Sequence, residues 1–169
     1  MKIEPAWFIR PDGRDGSSGI HGTGHTRRVL TLAQTISSSL SMPDWEIEAV
    51  ELAACWHDIG RTHEGVDYYH GAKSAGKVIG LGLQTNLDPL IVEAALFAVT
   101  HHSGSEPHAE HDAQWTRHPK STLRVFQALK DADALDRVRL GDLDTSFLRF
   151  EVSHSLVPRA HELLKEMTR

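Results

Sequence analysis

The sequence predicts an all-α protein, an irregular bundle of about six helices. Apolar residues recur at three- and four-residue spacing in successive segments. Glycine and proline clusters fall between those segments. No stretch alternates apolar and polar residues as a half-buried strand would.

Taken in order, residues 11–24 hold Gly13, Gly16, Gly19, Gly22 and Gly24 with Ser17 and Ser18, and read as a loop. The loop lacks the Gly-Lys-Ser/Thr ending of a phosphate-cradling P-loop. It is either a flexible lead-in or a mobile lid beside a site. From His25 to about Ser41, Val29, Leu32, Ala33, Ile36 and Leu40 repeat at helical spacing. His25 precedes Val29 by one turn and so projects from the apolar face. Met42-Pro43 breaks this helix, and Asp44 is a suitable N-cap for a second one reaching Asp58. Ile47, Val50, Ala54 and His57 share a stripe there, and Gly60 is a plausible stop. Residues 61–69 read as a loop. A helix over His70 to Ile79 ends at Gly80-Leu81-Gly82. Asp88-Pro89 pairs an N-cap with proline at the first helical position, opening a helix with Leu90, Ala94, Phe97 and His101 on one face. Residues 103–120 are polar, contain Pro107 and Pro119, and read as a long loop of a kind that often carries function. Ser121 to Leu140 reads as a helix with Phe126, Leu129, Asp133, Asp136 and Leu140 on one stripe. A last helical stretch over residues 143–169 breaks or kinks near Pro158.

The chain has 169 residues, of which 40 % are hydrophobic, and this fits one domain over 1–169 with a single core. A net charge of -5 argues against a stable nucleic-acid partner, while a local cation could still attract a small anion. The lone cysteine, Cys55, excludes a disulfide framework and fits a reduced, cytoplasmic setting. The start of the chain lacks the pattern of a signal peptide, and no apolar run approaches the ~20 residues of a membrane span.

There are 12 histidines, several at helix ends. Four helices each bring a ligand-type residue onto an apolar face: His25, His57 with Asp58, His101 and Asp133. An Asp on a core stripe needs a partner, either a metal or a salt bridge with Arg28, Arg61 or Arg137. Helical proteins build metal centres from such side chains on several helices. Helical phase sets Asp133 and Asp136 with Phe126 and Leu129 and leaves Asp131 to one side.

The ordered set resembles the HD superfamily of metal-dependent phosphohydrolases, whose signature is a His, then His-Asp, then a distant Asp. The matching segments are His25-Thr26-Arg27-Arg28-Val29, Trp56-His57-Asp58-Ile59-Gly60-Arg61 and Lys130-Asp131-Ala132-Asp133-Ala134-Leu135-Asp136, within a core of about 21–140. The family pattern also selects Asp133. Many members carry two more histidines, and His70-Gly71-Ala72-Lys73-Ser74 and His101-His102-Ser103-Gly104 are similar to those segments. The resemblance implies two divalent ions, drawn from Mn, Mg, Fe, Co or Ni. One would take His25, His57, Asp58 and Asp133, and the other His70, His101 and a bridging Asp58. Asp136 would orient a ligand histidine, and His21 is an auxiliary candidate one turn before His25.

The implied activity is hydrolysis of a phosphomonoester or phosphodiester of a small, nucleotide-like metabolite by a metal-activated hydroxide. Asp58 and Arg61 are the catalytic candidates, with Arg61 also a phosphate contact because guanidinium binds phosphate bidentately. Arg28 is a weaker substrate-binding candidate. His102 either binds substrate or serves a third metal. Some nucleotidase members have Glu where Arg61 stands, so their catalytic arrangement is not implied. No Gly-Tyr-Pro follows His101-His102, so the cyclic-dinucleotide branch is not implied either. Two alternatives use the same scaffold: a diiron oxygenase of this superfamily, and a noncatalytic nucleotide sensor.

Overall fold

Residues 2–167 are described by a computed structural model. They form α1 (Thr23–Ser39), α2 (Asp44–Trp56), α3 (His70–Gly80), α4 (Pro89–His101), α5 (Glu106–Ala113), α6 (Pro119–Leu135), α7 (Glu151–Ser155) and α8 (Val157–Met167). Among these residues the only extended pairing is an isolated antiparallel bridge between Ile9 and Asp15. The expected all-α architecture is what the chain adopts. No described helix is long and apolar enough to cross a membrane.

Helices α1, α2, α4 and α6 form the central bundle, each packed on its neighbours, with α2 also touching α6. Their apolar stripes meet in Val29, Leu32 and Ile36 of α1, Val50 and Leu52 of α2, Ala95 and Ala98 of α4, and Phe126 and Leu129 of α6, all essentially closed to solvent. Truncating one such large side chain to alanine costs about 2–5 kcal/mol. Helix α3 lies against α4, α5 against α6 and α4, and α7 and α8 against α1. The buried carboxylate of Glu46 accepts bonds from Arg124 Nε at 2.7 Å and from its terminal nitrogen at 2.5 Å, joining α2 to α6.

Two glycines set close approaches that the site depends on. A Cβ on Gly71 would lie 2.6 Å from the carbonyl oxygens of Val99 and Thr100, so only glycine lets α3 press onto the end of α4. A Cβ on Gly60 would lie 2.2 Å from the backbone nitrogen of Ser74. The Gly60 N–H instead donates to Ser74 Oγ at 2.9 Å, fixing the turn after Asp58 on α3.

The helix boundaries agree with the sequence reading to within a few residues at α1, α2, α3 and α4. The segment 103–120 differs, because it holds α5 rather than a continuous loop. Ser105 is the N-cap and Pro107 falls in the first turn, where a missing N–H removes no helical bond. Pro119 likewise opens α6 instead of closing a loop. Pro158 lies in the first turn of α8, so the C-terminal break falls before it, at Leu156. Between α6 and α7 the chain crosses back over α6, anchored by Asp131. That fully buried carboxylate accepts the backbone N–H groups of Arg149 at 2.9 Å and Phe150 at 3.1 Å, and Arg149 Nη1 at 3.0 Å.

Candidate metal centre

One end of the bundle gathers the beginnings of α1 and α3 and the ends of α2, α4 and α6. His25 stands in the first turn of α1, and His70 is the first residue of α3. His57 is the C-cap of α2, His102 the C-cap of α4 and Asp136 the C-cap of α6. Three converging helix C-termini present partial negative charge, which favours a cation.

Four imidazoles are oriented by the same device. His57 Nδ1 donates to the Ala54 carbonyl at 2.9 Å, His102 Nδ1 to the Val99 carbonyl at 2.7 Å and His70 Nδ1 to the Asp67 carbonyl at 2.5 Å, each three residues back. His25 Nδ1 donates to Asp136 Oδ2 at 2.7 Å. A proton on each Nδ1 leaves Nε2 as the free ligating nitrogen. Those nitrogens meet in pairs, His25 with His57 at 3.0 Å and His70 with His102 at 2.8 Å. Two nitrogen lone pairs at such distances repel unless a proton or a metal ion lies between them, so the arrangement is suited to holding cations.

Asp58 connects the two pairs. Its Oδ1 lies 3.1 Å from His70 Nε2 and 3.7 Å from His102 Nε2. Its Oδ2 lies 3.5 Å from His25 Nε2 and 3.6 Å from His57 Nε2. The carboxylate therefore faces one histidine pair with each oxygen, as a bridging ligand must. Asp133 Oδ1 completes the first pair, 3.3 Å from His25 and 3.8 Å from His57. Three groups have ligand atoms close enough to share an ion: His25, His57 and Asp133; Asp58, His70 and His102; and His21, His25 and Asp58. The donor chemistry fits divalent transition metals, which take mixed imidazole and carboxylate ligands.

Without a metal the buried groups shift one another strongly and leave an excess of negative charge. Burial lowers the affinity of His25 for a proton, but hydrogen bonds to Asp133, Asp136 and Asp58 outweigh it and raise its pKa to about 10. Burial pushes His57 down to about 4, despite the attraction of Asp58 and Asp133. Burial raises Asp58 and Asp133, yet the surrounding histidines hold both well below the usual carboxylate range. The centre thus keeps two ionised carboxylates and a proton on His25, a proton that a metal would displace.

The structure brings together His25, His57, Asp58, His70 and Asp133 as the sequence reading expects. His101 is not among them. Its ring packs on Phe97 at 4.4 Å between centroids, and its Nε2 lies 3.7 Å from Asp112. The buried face of α4 is Ile91, Ala94, Ala95, Ala98, Val99 and His102, so of the expected Leu90, Ala94, Phe97 and His101 only Ala94 is fully buried. His102, expected at substrate or a third metal, takes the place given to His101. The signal was the run of small residues Ala94, Ala95 and Ala98, which marks the face where another helix approaches.

The remaining candidates divide. Asp136 does orient His25, and Arg28 holds Asp136 in turn, with Nε to Oδ1 at 2.6 Å and Nη2 to Oδ2 at 3.0 Å. Arg28 is therefore engaged in a buried ion pair, and its edge lines a separate cavity of about 530 Å³ with His25 and Arg139. His21 reaches the centre, with Nδ1 at 2.9 Å from Asp58 Oδ2. Arg61 is beside the centre, its Nε donating to Asp58 Oδ1 at 2.9 Å and a terminal nitrogen 3.3 Å from His70 Nε2. Sequence reasoning missed Arg139, which donates to the Asp136 carbonyl at 3.1 Å and lies 3.4 Å from His21 Nδ1.

The two sides of the centre differ. On one side the glycine-rich segment folds over it, tied down by an Arg10–Glu64 ion pair and by Lys77 Nζ donating to the Ile9 carbonyl at 2.6 Å. The space left there, beside His21, Asp58 and Arg61, is about 10 Å³. On the other side a cleft of about 370 Å³ opens onto His102 and Asp133, walled by Lys130, Phe147 and Arg149.

Residues 22–138 match the HD domain family. The chain belongs to that family, a superfamily of metal-dependent phosphohydrolases. No match was found among curated proteins or solved structures.

Proposed function

We propose that the chain hydrolyses a phosphomonoester or phosphodiester of a small, nucleotide-like metabolite with two divalent ions. The observation that carries this is the pairing of four histidine Nε2 atoms across the two oxygens of Asp58. His25, His57, Asp133 and Asp58 Oδ2 would hold one ion, and His70, His102 and Asp58 Oδ1 the other. Bound there, the ions would supply an activated water and neutralise charge on the phosphoryl oxygens.

The chain's own residues do the rest. The carbonyls of Ala54, Asp67 and Val99, with Asp136, hold the four Nδ1 protons, so no imidazole must turn or change tautomer before binding. The glycine-rich segment leaves little room beside Asp58, and the cleft at His102 and Asp133 would be the approach for a substrate. Arg61 lies on the closed side with its guanidinium on Asp58 and beside His70, so it would position that carboxylate rather than meet a substrate entering by the Asp133 cleft. The cleft wall sets Lys130, Arg137 and Arg149 against Asp133, Asp142 and Asp144, so a preference for a phosphorylated substrate would rest mainly on the bound ions.

The test is elemental analysis followed by a phosphoester panel with Mn, Mg, Co, Ni and Fe. About two ions per chain are expected, with phosphate release that Asp58→Ala reduces to background. Full activity in that variant would overturn the reading, as would oxygen uptake by the iron form without phosphate release.

A further inference from the structure

The open cleft has an uneven charge account. Arg137 is paired with Asp142, and Arg149 with Asp131 and Glu106. Asp144 turns back to accept from the Ser146 backbone N–H at 2.9 Å and its hydroxyl at 2.7 Å. Asp133 faces His25 and His57. Lys130 remains. Among the described residues it has no carboxylate within ion-pair distance; its Nζ donates to the Gly104 carbonyl at 3.0 Å and sits 5.4 Å from the centre of the Phe126 ring. A carbonyl and an aromatic face satisfy an ammonium in part and leave N–H donors for the cleft.

Position gives this charge its meaning. Lys130 precedes Asp133 by three residues on α6, about 4.5 Å along the axis, and both line the cleft with His102. Glu106 and Asp133 attract this ammonium from beyond contact distance, but burial outweighs them, so a half-buried Lys130 gains from an anion placed directly against it. A phosphoryl group at the metal centre would be held by the ions beside Asp133, while Lys130 stands one turn farther along the cleft wall. A second anionic group, a few ångströms farther along the same molecule, fits.

We infer that Lys130 determines specificity by holding a second anionic group of the substrate, so that the preferred phosphoester carries another negative charge near the scissile phosphate. This rests on the phosphohydrolase reading and narrows its substrate class. The mono-anionic alternative, in which Lys130 only fastens Gly104 behind His102, predicts no such preference.

The experiment compares phenyl phosphate with its ortho-, meta- and para-carboxy derivatives on the metal-loaded protein, and the matching phosphonates by calorimetry. At least one carboxy isomer should be preferred about tenfold in both kcat/KM and affinity, the size of one charge-assisted bond. Lys130→Gln keeps a donor for Gly104 but no charge, and should bring the ratio near one. Lys130→Arg should restore it. Equal use of all esters by the native protein, or a preference that survives in Lys130→Gln, overturns the inference. Turnover of no ester, with the phosphonate preference intact, would instead strike the hydrolase reading and leave the second anion site standing.

Discussion

At the scale of single residues, the histidine that serves the centre is chosen by where a helix ends. His57 and His102 are both C-caps, and each spends its Nδ1 proton on the carbonyl three residues back. That bond turns Nε2 out of the helix end and into the bundle. His101, still within α4, makes no such bond and faces Asp112 and Phe97 instead. The two neighbours therefore give opposite predictions. His102→Ala should cost one ion, lowering the metal content from about two to about one per chain, and should abolish most turnover. His101→Ala should keep both ions and the greater part of the activity. Elemental analysis of the two variants decides it, and a loss of metal confined to His101→Ala would refute the assignment. The sequence reading reached His25, His57, Asp58, His70 and Asp133 because spacing and family pattern agree on them. It set His102 at substrate or a third metal, and His101 among the ligands, because Leu90 and Phe97, both large, drew the stripe off the buried face of Ile91, Val99 and three alanines. Asp136 was legible as a partner of a ligand histidine, and Arg28 was one of three arginines offered as partner to an Asp of that stripe; a pairing across 108 residues could not be singled out from spacing.

At the scale of elements, the distance between the two histidine pairs depends on how closely α3 lies on α4. Gly71 permits that approach, and any side chain there would enter the Val99 and Thr100 carbonyls. Because those carbonyls belong to the last turn of α4, a Gly71→Ala change would push His70 away from His102. The expected outcome is a folded protein with lowered stability, by about 1–3 kcal/mol as for other overpacked sites. It should also show weakened binding at the His70–His102 side and little change at the His25–His57 side. Metal titration followed by calorimetry would resolve the two sites, and equal weakening of both would count against this account. The same scale explains which elements were readable. Helices α1 to α4 have breakers or caps at their ends, such as Met42-Pro43 and Asp88-Pro89, whose side chain indeed accepts from the Leu90 N–H at 2.8 Å. Helix α5 is short and polar, and Pro107 suggested a loop although it lies where proline is tolerated. The crossing segment before α7 has no periodicity to read, because its course is set by Asp131 on α6.

At the scale of the whole molecule, the centre joins five helices at one end of the bundle, so metal occupancy and folding are linked. Each ion that binds only the folded chain stabilises it by about 2.7 kcal/mol when present at a hundred times its dissociation constant. For a chain of this size that corresponds to roughly 5–10 °C in Tm per ion. Chelation should therefore lower Tm by at least that amount, and the gap should depend on pH with a definite sign. In the metal-free protein the His25 pKa is raised from 6.5 to about 10. Its proton thus contributes stability that is complete below about 6.5 and is lost as pH rises toward 10. His57 works in the other sense. Its pKa is lowered to about 4, so its contribution is complete above about 6.5 and is lost as pH falls toward 4. Asp58 and Asp133, held below the carboxylate range, add to the loss on the acid side. Metal binding requires His25 without its Nε2 proton, so an ion replaces the proton and removes the alkaline decline. The difference in Tm between metal-loaded and chelated protein should then widen from pH 7 to pH 9. Scanning calorimetry at both pH values, with and without chelator, measures it directly. A gap that is absent, or that narrows as pH rises, would mean that the proton on His25 is not what the metal displaces.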